Sequence, residues 1–139
     1  MTSHRVLAPL RPAARVLTGS TYILLGLDAV RAPGKRVELA GPVLSAIRSR
    51  VPLPEDDELL VRVNAGTQVA AGAMLALGLA PRLAAAVLAA SLVPTTLAGH
   101  PYWTIEDPAQ RAQQRIHFHK NVALIGGLLL AVLDEPARG

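Results

Sequence analysis

The sequence predicts an all-α integral membrane fold, a four-helix bundle with an amphipathic linker between helices one and two. Three observations carry this expectation. Hydrophobic residues make up 51% of the 139 and charged residues only 17%, against about 25% charge in an average soluble domain. Four apolar stretches divide the chain, each close to the roughly 20 residues a helix needs to cross a bilayer. Glycines recur within or at the ends of these stretches, at Gly19, Gly26, Gly66, Gly72, Gly78, Gly126 and Gly127. In a soluble helix interior each would cost up to about 1 kcal/mol relative to Ala. Between lipid-embedded helices, small residues instead let backbones approach closely. The length fits one domain over 1–139.

The first span is expected over 13–32. Its lead-in, MTSHRVLAPLRPAAR, is basic like a signal peptide, but no small-x-small cleavage site follows, so it reads as an uncleaved helix. Asp28 closes its clean apolar part. In the linker, Val37, Ala40, Leu44, Ile47 and Val51 fall on one helical face. Gly41-Pro42 is expected to interrupt that pattern, with Pro42 opening a short helix that ends near Arg50. Two placements stand equal: an amphipathic helix lying on the bilayer, or a segment packed over the bundle.

The run Glu55-Asp56-Asp57-Glu58 after Pro54 has the composition of a helix start, since acids suit the N-terminal dipole. A cation or partner site is the alternative. The second and third spans, 59–79 and 83–99, form a hairpin about Ala80-Pro81-Arg82. Between Val63 and Gly99, Arg82 is the only charged residue. Pro94 fits a membrane helix, where neighbours can re-satisfy a freed carbonyl. The fourth span is expected over 113–133, in a helix that Asp107-Pro108 opens. From Pro108 to Leu133 such a helix is about 39 Å long, so its first turns overrun the ~30 Å hydrocarbon core.

A net charge of +4 raises nucleic acid as a partner. However, the cations lie between apolar runs and form no basic stripe, so anionic lipid heads account for them better. The absence of cysteine excludes disulfides, thiolate metal sites and iron–sulfur ligation. Four spans put both termini on one side, and the linker and the 100–115 loop on the other. The linker face carries Arg31, Lys35, Arg36, Arg48, Arg50, Arg111 and Arg115, a bias towards the cytoplasm.

This topology gathers Asp28, Arg62, Asn64, Gln68, Lys120 and Asn121 as an intramembrane polar cluster, with Asp28 pairing to Arg62 or Lys120. Asn64 and Gln68 share a helix face, and Ser91, Thr95 and Thr96 can bond to them across the bundle. His100, Trp103, Arg115 and His117 form a candidate cofactor site at the linker face. His117 and His119 are two residues apart, on different helix faces, so they cannot chelate one metal together, and no metal site is expected. No phosphate loop, nucleophile elbow or paired-carboxylate arrangement is visible.

Gly26-Leu27-Asp28-Ala29-Val30-Arg31-Ala32-Pro33 and Leu60-Val61-Arg62-Val63-Asn64-Ala65-Gly66-Thr67-Gln68-Val69 resemble the DoxX family. So do Ser91-Leu92-Val93-Pro94-Thr95-Thr96-Leu97-Ala98-Gly99-His100 and Gln114-Arg115-Ile116-His117-Phe118-His119-Lys120-Asn121, running on to Gly126-Gly127-Leu128-Leu129. The details resemble actinobacterial members, with His119 standing where relatives carry an apolar residue. The resemblance implies a four-helix membrane bundle in the cell membrane. It also implies a link to redox chemistry, since the family takes its name from a membrane subunit of thiosulfate:quinone oxidoreductase. On that basis the chain is expected to be a membrane subunit or anchor of a quinone-linked or oxidative-stress complex. The cofactor stays open, with quinone as the candidate, and a soluble redox enzyme is the candidate partner on the linker face. A non-catalytic scaffold or small-molecule carrier, and a homo-oligomer, remain open alternatives.

Overall fold

The structure, a computed structural model, describes residues 9–134; His4, Arg5 and Arg138 lie outside them. Its elements are α1 (Leu10–Arg31), α2 (Lys35–Arg48), α3 (Asp57–Leu77), α4 (Pro81–Gly99), a 3-10 turn (Tyr102–Thr104) and α5 (Pro108–Leu133). There is no strand among the described residues.

The helix ends follow local chemistry. Ala32 N–H closes α1 onto the Asp28 carbonyl at 2.9 Å, and Pro33 lies just beyond it. α3 begins at Asp57, three residues later than a start at Pro54, because the Asp56 carboxylate accepts from Leu59 N–H at 2.9 Å. The neighbouring acids are also occupied within the fold: Asp57 pairs with Arg48 of α2, and Glu58 with Arg62 one turn along α3. Gly78 ends α3 with φ +72°, the left-handed conformation that glycine adopts without penalty, and the Leu79 N–H returns to the Met74 carbonyl. The hairpin turns there into Pro81. α5 opens as its sequence predicts, with the Asp107 carboxylate accepting from Gln110 N–H at 2.8 Å and Pro108 in the first turn.

α2 corrects one expectation. Gly41-Pro42 does not break it, and the helix runs unbroken from Lys35 to Arg48. A proline in a helix interior costs about 3 kcal/mol, so contacts must hold the segment together. Val37, Ala40, Leu44 and Ile47 form its half-buried stripe, and α2 packs on α3 and α4. Arg48 fastens the far end to Asp57 and to the Pro54 carbonyl. The linker is thus an amphipathic helix seated over the bundle.

α3, α4 and α5 are long and apolar enough to cross a membrane. α1 is long enough at 22 residues, but Arg11, Arg15, Asp28 and Arg31 make it more polar. α1 packs against α3, α3 against α4, and α4 against α5, around a core that includes Leu75, Ala84, Ala85, Leu88 and Leu92. The α1–α3 seam is the tightest contact. A Cβ on Gly19 would meet the Gly72 carbonyl oxygen, and one on Gly72 would come 2.8 Å from the Gly19 carbonyl oxygen. One on Gly26 would come 2.9 Å from the Ala65 carbonyl oxygen. These antiparallel small-residue pairs, two helical turns apart, bring the backbones together.

α5 is the opposite case. Of its 26 residues only Leu128 is buried, and its flank towards α1 is open. Beyond its packing on α4, two polar contacts tie its C-terminal end. The Arg11 guanidinium donates to Asp134 at 3.1 Å, and Arg82 Nε donates to the Val132 carbonyl at 2.7 Å.

Candidate functional site

The expected polar cluster resolves into separate parts. Asn64, Gln68, Ser91 and Thr95 form a network between α3 and α4. Asn64 Nδ2 donates to Thr95 Oγ1 at 2.9 Å, and Gln68 Nε2 donates to the same oxygen at 3.1 Å. Ser91 Oγ returns a bond to Asn64 Oδ1 at 2.9 Å, and Thr95 Oγ1 donates to the Ser91 carbonyl. The four groups partner one another, and Gln68 and Ser91 are buried. Thr96 turns aside and donates to its own helix at Leu92.

Asp28 pairs with neither Arg62 nor Lys120. Arg62 instead chelates Glu58 (Nε 3.0 Å, Nη2 2.7 Å) and donates from Nη1 to the Val30 carbonyl at 2.8 Å. The i, i+4 partner is already positioned on the same helix, and the last carbonyls of α1 lack intrahelical donors. Arg62 therefore acts as a clamp across the α1–α3 seam. Asp28 is exposed. Asn121 is half-buried on α5 and takes no part in the network. Lys120 faces a different place altogether, the cleft between α1 and α5.

At the linker end a second assembly forms. His100 caps α4, its N–H bonded to the Thr96 carbonyl, and its ring stacks on His117 with centroids 5.4 Å apart. His100 Nδ1 lies 2.7 Å from Gln114 Oε1. Beside this pair, Tyr102, Trp103 and Phe118 meet edge to face at 5.3–5.8 Å, with His119 against Phe118 at 5.6 Å. Three of the chain's four aromatic residues and three of its four histidines thus gather where α4 hands over to α5. Of the four residues expected to hold a cofactor, His100 and His117 are in contact and Trp103 is in the adjoining cluster. Arg115 is exposed and outside both.

Tyr102, Phe118 and Gln114 are the members that sequence reasoning missed. The signal was available: nearly all the aromatics of an aromatic-poor chain fall within 102–118. Trp103, 54% exposed, also borders an apolar groove of about 810 Å³ between α2 and α4. Val43 and Ile47 line one wall of it, Pro94 and Leu97 the other, and Pro101, next to His100, lies at its edge. Glu38 and Arg50 are its only charged residues.

Among the described residues the fold is all-helical, with three helices long and apolar enough to cross a membrane and a polar, aromatic end, the make-up of a membrane protein. The DoxX family profile matches residues 11–101, almost two thirds of the chain, and the chain belongs to the DoxX family. The matched stretch includes α1 to α4 and His100, and the likeness in 114–129 lies beyond it. Neither the curated proteins nor the solved structures give a match.

Proposed function

We propose that this chain is a multi-pass cell-membrane subunit that anchors a redox complex, quinone-linked or concerned with oxidative stress. In this reading α1 makes the fourth crossing, and a soluble redox enzyme docks on the basic linker face. The observation that carries it is the stacked His100–His117 pair beside an aromatic cluster and an apolar groove, all at one end of the bundle. A quinone is an amphiphile of matching chemistry, with a flat ring bearing two carbonyl acceptors and a long apolar tail. The imidazoles of His100 and His117 can donate to those carbonyls, Trp103 and Tyr102 offer stacking faces, and the α2–α4 groove suits the tail. With no cysteine on the chain, thiol chemistry belongs to the partner.

Trp103 is the only tryptophan, so its fluorescence reports on this site directly. Titrating the purified protein in detergent with a short-tailed quinone analogue should quench it saturably, and His100→Ala should weaken binding at least tenfold. The absence of saturable quenching, or an unchanged His100→Ala variant, defeats the quinone assignment. Recovery of a partner enzyme under those conditions would support the alternative of a non-catalytic scaffold. The internally satisfied Asn64–Gln68–Ser91–Thr95 network favours that alternative, because it reads as structural glue.

A further inference from the structure

A second cavity, of about 570 Å³, opens between α1 and α5 and shares no lining residue with the α2–α4 groove. Its wall is apolar, with Leu75 and Leu128 buried at the back and Ala123, Leu124 and Ala131 along α5. It contains two cations, Arg15 and Lys120, and no carboxylate. Arg15 has a counter-group nearby: its Nη1 lies beside Gly78 at the C-terminal end of α3, where unpaired carbonyls attract a cation. Lys120 does not. The ion pairs among the described residues are Arg11–Asp134, Arg48–Asp57 and Arg62–Glu58, and none includes it.

Position makes this informative. Lys120 lies one helical turn beyond His117, about 10 Å along α5 from residue 113, where the expected span begins. It is exposed, with its side chain on the cleft. A cation within a span that no acid neutralises faces a partner or a cavity. The volume falls within the range of small-molecule sites, and the lining follows α5 from Lys120 to Ala131, about 17 Å, which suits one extended chain.

We propose that the α1–α5 cleft binds a single-chain carboxylate amphiphile, a long-chain fatty acid. Its carboxylate meets the Lys120 ammonium, and its chain runs past Leu124 and Leu128 towards Ala131. A carboxylic acid can enter the cleft neutral and release its proton to water as its carboxylate meets the Lys120 ammonium. A phospholipid enters already ionised and brings two acyl chains to a cleft of about 570 Å³.

The test is equilibrium binding of radiolabelled oleate to the delipidated full-length protein in detergent, with phosphatidylglycerol as competitor. The wild type should hold about one oleate per chain. Lys120→Gln should bind at least tenfold more weakly, and Lys120→Arg should recover most of the loss. Gly127→Leu supplies a second variant that keeps the fold, because a Cβ at Gly127 meets nothing within 4 Å, yet its side chain fills the cleft and should abolish binding. Oleate binding that is absent from the wild type, or unaffected by both Lys120→Gln and Gly127→Leu, overturns the proposal. Displacement of oleate by phosphatidylglycerol at equal concentration overturns the carboxylate assignment in favour of a phospholipid. The Trp103 titration with quinone reads a different site, so either result stands without the other.

Discussion

The two flanks of α1 present opposite solutions to helix packing. On its α3 side, Gly19 and Gly26 lie against Gly72 and Ala65 so closely that no Cβ can be added without moving a backbone. On its α5 side the helices stand apart, joined at one end by Arg11 and Asp134. α5 has its own glycines, Gly126 and Gly127, and nothing lies within 4 Å of a Cβ built on either. Glycine in a membrane span is therefore not one signal. Where two small residues face each other it lets backbones approach. Where it faces a cleft or lipid it leaves space, and space beside an unpaired lysine is room for a ligand.

The largest effect that distinguishes the flanks should come from bulk at the seam. Gly19→Leu must displace the Gly72 carbonyl, and overpacking of a close backbone contact costs about 1–3 kcal/mol or more. Thermal melts in detergent should show a strongly lowered midpoint or loss of the folded form, whereas Gly126→Leu should melt like the wild type. Equal behaviour of the two variants would mean that the seam is not the stabilising contact.

A smaller loss is expected at the α3–α4 interface. Thr95→Val removes the oxygen that accepts from both Asn64 and Gln68, leaving two donors to find other partners. The cost of an unsatisfied buried group is about 1–3 kcal/mol, although inter-helical bonds in bilayers average nearer 0.6. Denaturant unfolding should place Thr95→Val between the two glycine variants. A null result would mean that water or lipid already serves this network.

Tyr22 sits in the seam and should move stability the other way. Its side chain is buried, and its hydroxyl is the one buried side-chain polar atom among the described residues with no hydrogen-bond partner. Tyr22→Phe keeps the ring and removes the orphan, so it should be neutral or stabilising by up to about 1 kcal/mol. A clear destabilisation in the same melts would reveal a bond that forms only in the bilayer. The smallest effect belongs to the open flank. Arg11→Ala breaks an exposed ion pair, for which about 0.2–1 kcal/mol is typical, and the loss should shrink as salt is added.

Much of this architecture is legible in the residues themselves. The spans expected over 59–79, 83–99 and 113–133 lie within two residues of observed α3 and α4, and within the longer α5. Apolar length, Asp107-Pro108 and the Gly78 turn are local signals, and local signals survive folding. In the acidic run, Asp56 serves as a cap and Asp57 and Glu58 pair with arginines, local chemistry that accounts for three of its four acids. Pro42 is where local reasoning failed. Proline disfavours a helix interior in any isolated segment, but the stripe packed on α3 and α4 and the Arg48 anchor hold α2 together across it.

The site was less legible. A shared level in the membrane suggested that Asp28, Arg62, Lys120 and the histidines would converge, but level does not fix azimuth. Arg62 turned to Glu58 and Val30, Lys120 to the α1–α5 cleft, and Arg115 outward. The sequence by itself determined the membrane class, the helix lengths and the hairpin, because hydropathy, caps and turns act over a few residues. Only the tertiary structure decided which glycines touch, which polar groups bond and which cations line the α1–α5 cleft. Those outcomes depend on how each helix is rotated about its axis, and that rotation is set by the fit of its neighbours.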